Sequence, residues 1–275
     1  MSDRTEPELY LDDQGVERFL GCVFPTVEEA QSPFYSDVQA IAPVPRDRWT
    51  EVDYSAWLPP VLDQGSTPMC GGFSTAAAHT ASCNMSGRKL GALLSPGWIY
   101  GYTKEPGGGI LVRNALTCLQ DRGCCTVNFV GQFDTNPAAY SQEARWDADK
   151  YRLRAAYQID SFDQMGSALV AGYLVEFGVV IGGNFRPDAD GVIPEWDGSL
   201  SGGHAMFAYG LAKVNGRWYA RVRNSWGERW GKQGNCLMPE SYFWKTRSGY
   251  RFMNLDAFAI KAVRQDVGEL PTVAT

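Results

Sequence analysis

The sequence predicts an α+β chain of two lobes, helical first and β second, and three observations carry that prediction. Alanine-rich or periodic apolar stretches with clear start and stop signals fill the first half, up to about residue 121. Short apolar or alternating runs, VVIGG, HAMFAYGLAKV and RWYARVRNSW, dominate beyond Gly178. Asn215-Gly216 joins the last two runs, a dipeptide that favours a tight β-hairpin turn.

Each element follows from local chemistry. Residues 1–44 are polar and acidic and run into IAPVPRDRW, where Pro43 and Pro45 punctuate a boundary, so they read as an N-terminal extension. The main body is expected over 45–265, with a helical lobe over about 64–155, a β lobe from about 46–60 and 160–262, and a tail over 266–275. After the extended VDYSAWLPPVLDQG, the stretch CGGFSTAAAHTASCNMSG predicts a helix that starts near Cys70 and stops at Ser86-Gly87. Ser95-Pro96 supplies a cap and a first-turn proline for a second helix, and a third fills roughly 110–121 before Gly123. Residues 124–160 give no firm assignment. SFDQMGSALVAGYLVEFG predicts one further helix, with Ser161 as cap and Gly178 as stop.

Composition removes several classes of function. With 44% hydrophobic and 13% aromatic residues in 275, the chain has enough apolar side chain for one compact body. Its formal charge is −6 and no Lys/Arg cluster has the density that phosphate backbones or anionic lipids require, so neither nucleic acid nor membrane is an expected partner. The acidic opening holds no apolar core segment, and no later run is long enough to span a bilayer. Cytoplasmic synthesis without a signal peptide is the expectation, with incorporation in a virion or non-classical secretion as later fates. Seven cysteines are an odd number and read mostly as thiols, and two histidines without a Cys-x-x-Cys spacing argue against a zinc site.

A cysteine at a helix N-terminus feels the positive end of the helix dipole, which favours thiolate, so Cys70 is the candidate nucleophile. Its imidazole partner must be His79 or His204. His79 lies nine residues along the same helix, roughly 900° of rotation at about 100° per residue, and so on the opposite face. His204, preceded by Ser201-Gly202-Gly203, is therefore the candidate base. Asn224 can hold the ring in one tautomer through its side-chain oxygen, and the hairpin folds it back along the strand of His204. A strict two-residue turn would set residue 224 opposite residue 207, on the wrong face, so the sequence predicts a bulge between the two strands.

At these residues the chain resembles the papain and cathepsin family of cysteine peptidases, in its bacterial or phage type with a short N-terminal extension. DQGSTPMCGGFS is similar to the family's nucleophile segment, GGHAMFAYG to its histidine strand and NSWGERWG to its asparagine motif. The separations from Cys70 to His204 and Asn224, 134 and 154 residues (204 − 70 and 224 − 70), also suit the family. The resemblance implies a papain-like two-lobe fold, with an antiparallel β-barrel-like lobe facing the helical lobe across a cleft. It implies a Cys70, His204, Asn224 triad, with Gln64 donating to the oxyanion hole beside the Cys70 N–H. Trp226 would shield the histidine from water, and Gly108, Gly109 and Gly203 would line bound substrate. Two departures stand out: Gly71 replaces the usual aromatic after the nucleophile, and Thr67-Pro68-Met69 lacks the cysteine of the family's disulfide. The glycines after Cys70 predict a looser first turn and a more open rim.

The implied activity is hydrolysis of peptide or protein substrates through a thioester, with Cys70 and His204 as a thiolate–imidazolium pair and with no metal or organic cofactor. The extension is expected either to cover the cleft as a self-inhibitory prosegment, with Cys22 near the site, or to pack as a passive strap. Two other functions use the same residues: a structural part of a larger assembly, such as a phage particle or secretion machine, and a transamidase or peptidoglycan-directed acyl transferase.

Overall fold

Helix α1 (Cys70–Met85) runs through the centre of the computed structural model, which describes residues 8–25, 41–243, 246–247, 250–251 and 256–261. Residues Cys70 to Cys83 are all buried, because small side chains on every face let neighbours pack all round the helix. It stops at Ser86-Gly87: Gly87 takes φ +89, its N–H bonds Asn84 O and the Arg88 N–H reaches Cys83 O, the paired closure a glycine permits. Helix α2 (Pro96–Thr103) starts on Ser95, whose hydroxyl accepts from Trp98 N at 3.1 Å. Helix α3 (Val112–Asp121) ends before Gly123 at φ +69. The unassigned stretch 124–160 contributes α4 (Gln142–Asp149), capped by Ser141, and strand β4 (Ala156–Gln158).

One expected helix is half strand. Helix α5 (Phe162–Val170) uses the Ser161 cap, but the chain turns at Gly172, φ +85, and β5 (Leu174–Ile181) follows. Every β5 position is buried, so LVEFGVVI shows no alternation, and period alone cannot separate such a run from a buried helix. Gly172, not Gly178, is the stop.

An antiparallel seven-stranded sheet makes the second layer. Its order is β4, β9 (Ala257–Ile260), β5, β6 (Gly202–Val214), β7 (Arg217–Arg223), β8 (Asn235–Pro239), with β3 (Val52–Asp53) also on β6. Asn215 and Gly216 turn the β6–β7 hairpin at φ 49 and 79. The predicted bulge is present at Tyr209: Ala208 pairs with Val222, and Gly210 with Arg221. Alternation along β6 sends Ala205 and Phe207 to the core shared with Phe73 and Trp98 of the helical layer. Met206 and Ala208 face a second core with Phe177, Trp226 and Trp230. The extension contributes a separate hairpin, β1 (Glu8–Leu11) with β2 (Glu17–Leu20). Residues 1–7 and 26–40 of it, and the tail over 266–275, lie outside the described residues.

Candidate active site

Cys70 opens α1, is fully buried, and has no capping side chain before it, so the first-turn N–H groups stay directed at the sulfur's end of the helix. Burial pushes its thiol up to about 11, while backbone N–H groups of Ala205, Gly21 and Gly71 favour the thiolate. Ala205 is the neighbour of His204 on β6, so the sulfur of the helical layer meets the sheet beside the imidazole.

The His204 ring has a defined tautomer. Its Nε2 lies 2.7 Å from Asn224 Oδ1, and that oxygen also accepts from Ser225 N at 2.8 Å, which fixes the amide orientation. Nε2 therefore carries the proton, and Nδ1, buried and without a partner among the described residues, presents its lone pair. The bulge at Tyr209 supplies the parity that lets both residues share one face of the ribbon. Trp226, 1% exposed, lies against the ring at 4.6 Å between centroids and 31° between planes, and Tyr10 of β1 stacks on Trp226. Burial depresses His204 to about 4; the Asn224 bond works against this and the nearby Arg18 charge adds to it. In this closed arrangement burial thus works against charge on both the sulfur and the imidazole, because neither has water around it.

Gln64 is held by both ends of its amide. Oε1 accepts from Ser225 Oγ at 2.7 Å, and Nε2 donates to Thr67 O at 2.8 Å and to Phe19 O, in the extension, at 3.2 Å. A carbonyl of the chain itself thus occupies the donor expected to meet an oxyanion. His79 lies apart, its Nε2 2.9 Å from Tyr151 O.

The extension crosses the cleft at Gly21–Val23. Ile110 N donates to Gly21 O at 2.8 Å and Val23 N donates to Ile110 O at 3.0 Å, while Cys22 N donates to Gly203 O at 2.9 Å on the opposite wall. A Cβ on Gly109 would lie 2.5 Å from Gly21 O, and one on Gly203 2.1 Å from Cys22 O, so glycine at each admits a strand this close. Gly108, φ +85, serves the turn through its bond to Glu105 O. The residue that pairs with the bound strand is Ile110, which the sequence reading missed; its signal was its place directly after the glycines. Ile110 also closes the rim expected to be open. Its Cγ2 sits 2.1 Å from where a Gly71 Cβ would be, and Gly72 packs against Pro96 O and Tyr100. Both glycines make room for neighbours.

Arg18 clasps this strap. It is buried, bonds Asp12 Oδ2 at 2.9 Å and Trp226 O at 2.8 Å, and reaches Asp63 Oδ1 at 2.5 Å, beside Gln64.

Residues 47–242 match the family described as papain family cysteine protease. Vignain of Phaseolus vulgaris is 29% identical over 192 residues, which cover 66% of this chain and 51% of that protein. The chain spans about half the length of the curated relatives that it matches first. Xylellain, a cysteine protease from Xylella fastidiosa, superposes with a TM-score of 0.67 at 21% identity, covering 96% of this chain and 99% of xylellain. ProCathepsin B from Trypanosoma congolense does so at 0.62 and 18% identity, covering 82% and 83%. These two likenesses show a shared fold.

Proposed function

Because the chain belongs to the papain family of cysteine proteases, we propose that it hydrolyses peptide bonds, with Cys70 as nucleophile, His204 as base and Asn224 as the group that orients the base. The observation that carries the assignment is the single tautomer of His204, whose free Nδ1 sits on the strand that meets the Cys70 sulfur. Nδ1 takes the thiol proton, and the thiolate attacks the scissile carbonyl carbon. Gln64 Nε2–H and the Cys70 N–H hold the oxyanion, a type of contact that contributes roughly 2.7–4 kcal/mol per donor. The imidazolium returns its proton to the leaving amine, which departs and leaves a thioester. Water, deprotonated by His204, then attacks the thioester and releases the acid and the sulfur.

The extension is read as a self-inhibitory strap. It fills the cleft wall to wall, and its Phe19 carbonyl engages the oxyanion donor, so a substrate can bind only after residues 19–23 leave. Substrate would pair its main chain with Ile110 and lie against Gly109 and Gly203 in their place.

The direct test is Cys70→Ala. Peptide hydrolysis, measured on a mixed peptide library by mass spectrometry, and labelling by a thiol-directed epoxide should both disappear. Cleavage that persists in this variant would refute the assignment.

A further inference from the structure

The Cys22 side chain packs into the cleft wall over Gly178, and what lies beneath it has no part in the acyl-transfer chemistry. Its sulfur sits 2.6 Å from the point where a Gly178 Cβ would be, with Val112 Cγ2 3.6 Å and Phe24 Cε1 3.5 Å from that same point. Gly178 leaves this stretch of β5 without a side chain. Two residues back along the strand, on the same face and about 7 Å away, stands Glu176.

Glu176 is 0% exposed. One carboxyl oxygen accepts from Thr75 Oγ1 of α1 at 3.1 Å, and the other, Oε2, has no hydrogen-bond partner among the described residues. Ser74 Oγ, which has no other partner among the described residues, lies on this carboxyl and favours its ionised form, so two neutral helix hydroxyls and no cation face Glu176 there. Its strand neighbours, Phe207 and Phe258, offer no polar group. The other acid at this pocket, Asp256, is already occupied: its carboxylate bonds Arg113 Nε at 2.7 Å and Arg113 N at 3.2 Å. Glu176 and Asp256 both act electrostatically on the Cys22 thiol, which ties them to this pocket.

A buried carboxyl with no cation beside it costs stability and persists where something uses it. Of the two acids beneath Gly178, one has a cation and the other has none among the described residues. We propose that the pocket entered by Cys22 is a specificity subsite for a lysine or arginine side chain of the substrate, whose cationic end pairs with Glu176 after the strap has left. The proposal rests on the reading of the cleft as a peptidase site. A basic side chain that starts where Cys22 does passes over Gly178 and carries its charge several ångströms further, toward the carboxyl. Cys22, too short to reach it and uncharged, leaves Glu176 without a counter-charge, and burial holds the acid up at about 8. An incoming ammonium or guanidinium favours the ionised form and makes a charge-assisted bond.

The test uses the full chain, as wild type and with Arg18→Ala to loosen the strap. Quenched fluorogenic peptides carry arginine, lysine, leucine, glutamine or aspartate at each position before the cleaved bond. One position should favour arginine and lysine over leucine by about tenfold or more in kcat/KM, the scale of one charge-assisted contact. In Glu176→Gln the preference should fall to about threefold or less, while the leucine peptide is still cleaved. The absence of a basic preference at every position, or its survival in Glu176→Gln, overturns the proposal. If Glu176→Gln fails to fold, as judged by thermal unfolding, the profile of the unaltered subsite decides alone. If no peptide is cleaved and Cys70 resists the epoxide, the peptidase reading itself fails, a result distinct from cleavage without basic preference.

Discussion

With Asn224 holding Nε2–H, His204 has one nitrogen left for the sulfur, and that division of labour sets an order of mutational effects. His204→Ala should remove the base and reduce kcat/KM by orders of magnitude. Asn224→Ala should cost less and shift the pH profile, because the ring remains but its tautomer and water shield are weakened. Equal losses with unchanged pH profiles would contradict the orienting role. The three candidate positions could be named from sequence for different reasons: one cysteine opened a helix, one histidine was free of that helix, and the hairpin folded Asn224 back beside that histidine. Ile110 and Glu176 were not legible. Ile110 acts through its backbone, which residue type does not report, and Glu176 is indistinguishable from any strand glutamate until a glycine and two helix hydroxyls are placed around it. Glu176 carries a further prediction. Its native pKa, about 8, lies above the usual carboxylate range, so the folded chain binds its proton more tightly than the unfolded chain does. Stability should fall as pH rises from about 4.5 to 8. In melts across that range Glu176→Gln should gain on the wild type at the alkaline end and show no gain at pH 4; a constant difference would refute the linkage.

At the scale of elements, the rim of the cleft is a compensated pair. At Gly71 the Ile110 side chain already fills the space a side chain would need, its Cγ2 lying 2.1 Å from where a Cβ would be. Gly71→Ala alone should destabilise by about 1–3 kcal/mol, the usual cost of overpacking, as read from denaturant midpoints. In Ile110→Ala the nearest remaining side-chain atom, Ile110 Cβ, lies 3.4 Å away, so the double variant should recover much of that loss. Additive effects would show that the two residues do not share the space. Elements whose ends carry a chemical signal, such as α1 with Ser86-Gly87 and α2 with Ser95-Pro96, were readable. The bulge at Tyr209 was readable too, since only a change of parity puts Asn224 on the face of His204. β5 was not, because burial on both faces erases the period that separates strand from helix.

For the whole molecule, the proposed inhibitory strap and the proposed catalytic pair should be linked through protons, with Arg18 as the handle. Its guanidinium joins the extension's own Asp12 to Asp63 and to the Trp226 carbonyl, so it fastens residues 8–20 to the loops that carry Gln64 and Asn224. Arg18→Ala removes all of these bonds and leaves Asp12 buried without its cation, so the strap should dissociate more readily. The epoxide labelling rate of Cys70 and the rate of peptide cleavage at neutral pH should both rise. If either rate falls or stays unchanged, the segment is a passive strap, not an inhibitor. Acid should act in the same direction. The closed state holds His204 at about 4, below the ordinary 6.5, so between these values the open state binds the proton more tightly and falling pH favours opening. The labelling rates of wild type and Arg18→Ala should therefore converge as pH drops from 7 toward 4. A constant ratio across that range would mean that the imidazole stays equally buried in both states, and that the strap does not govern the water around the catalytic pair.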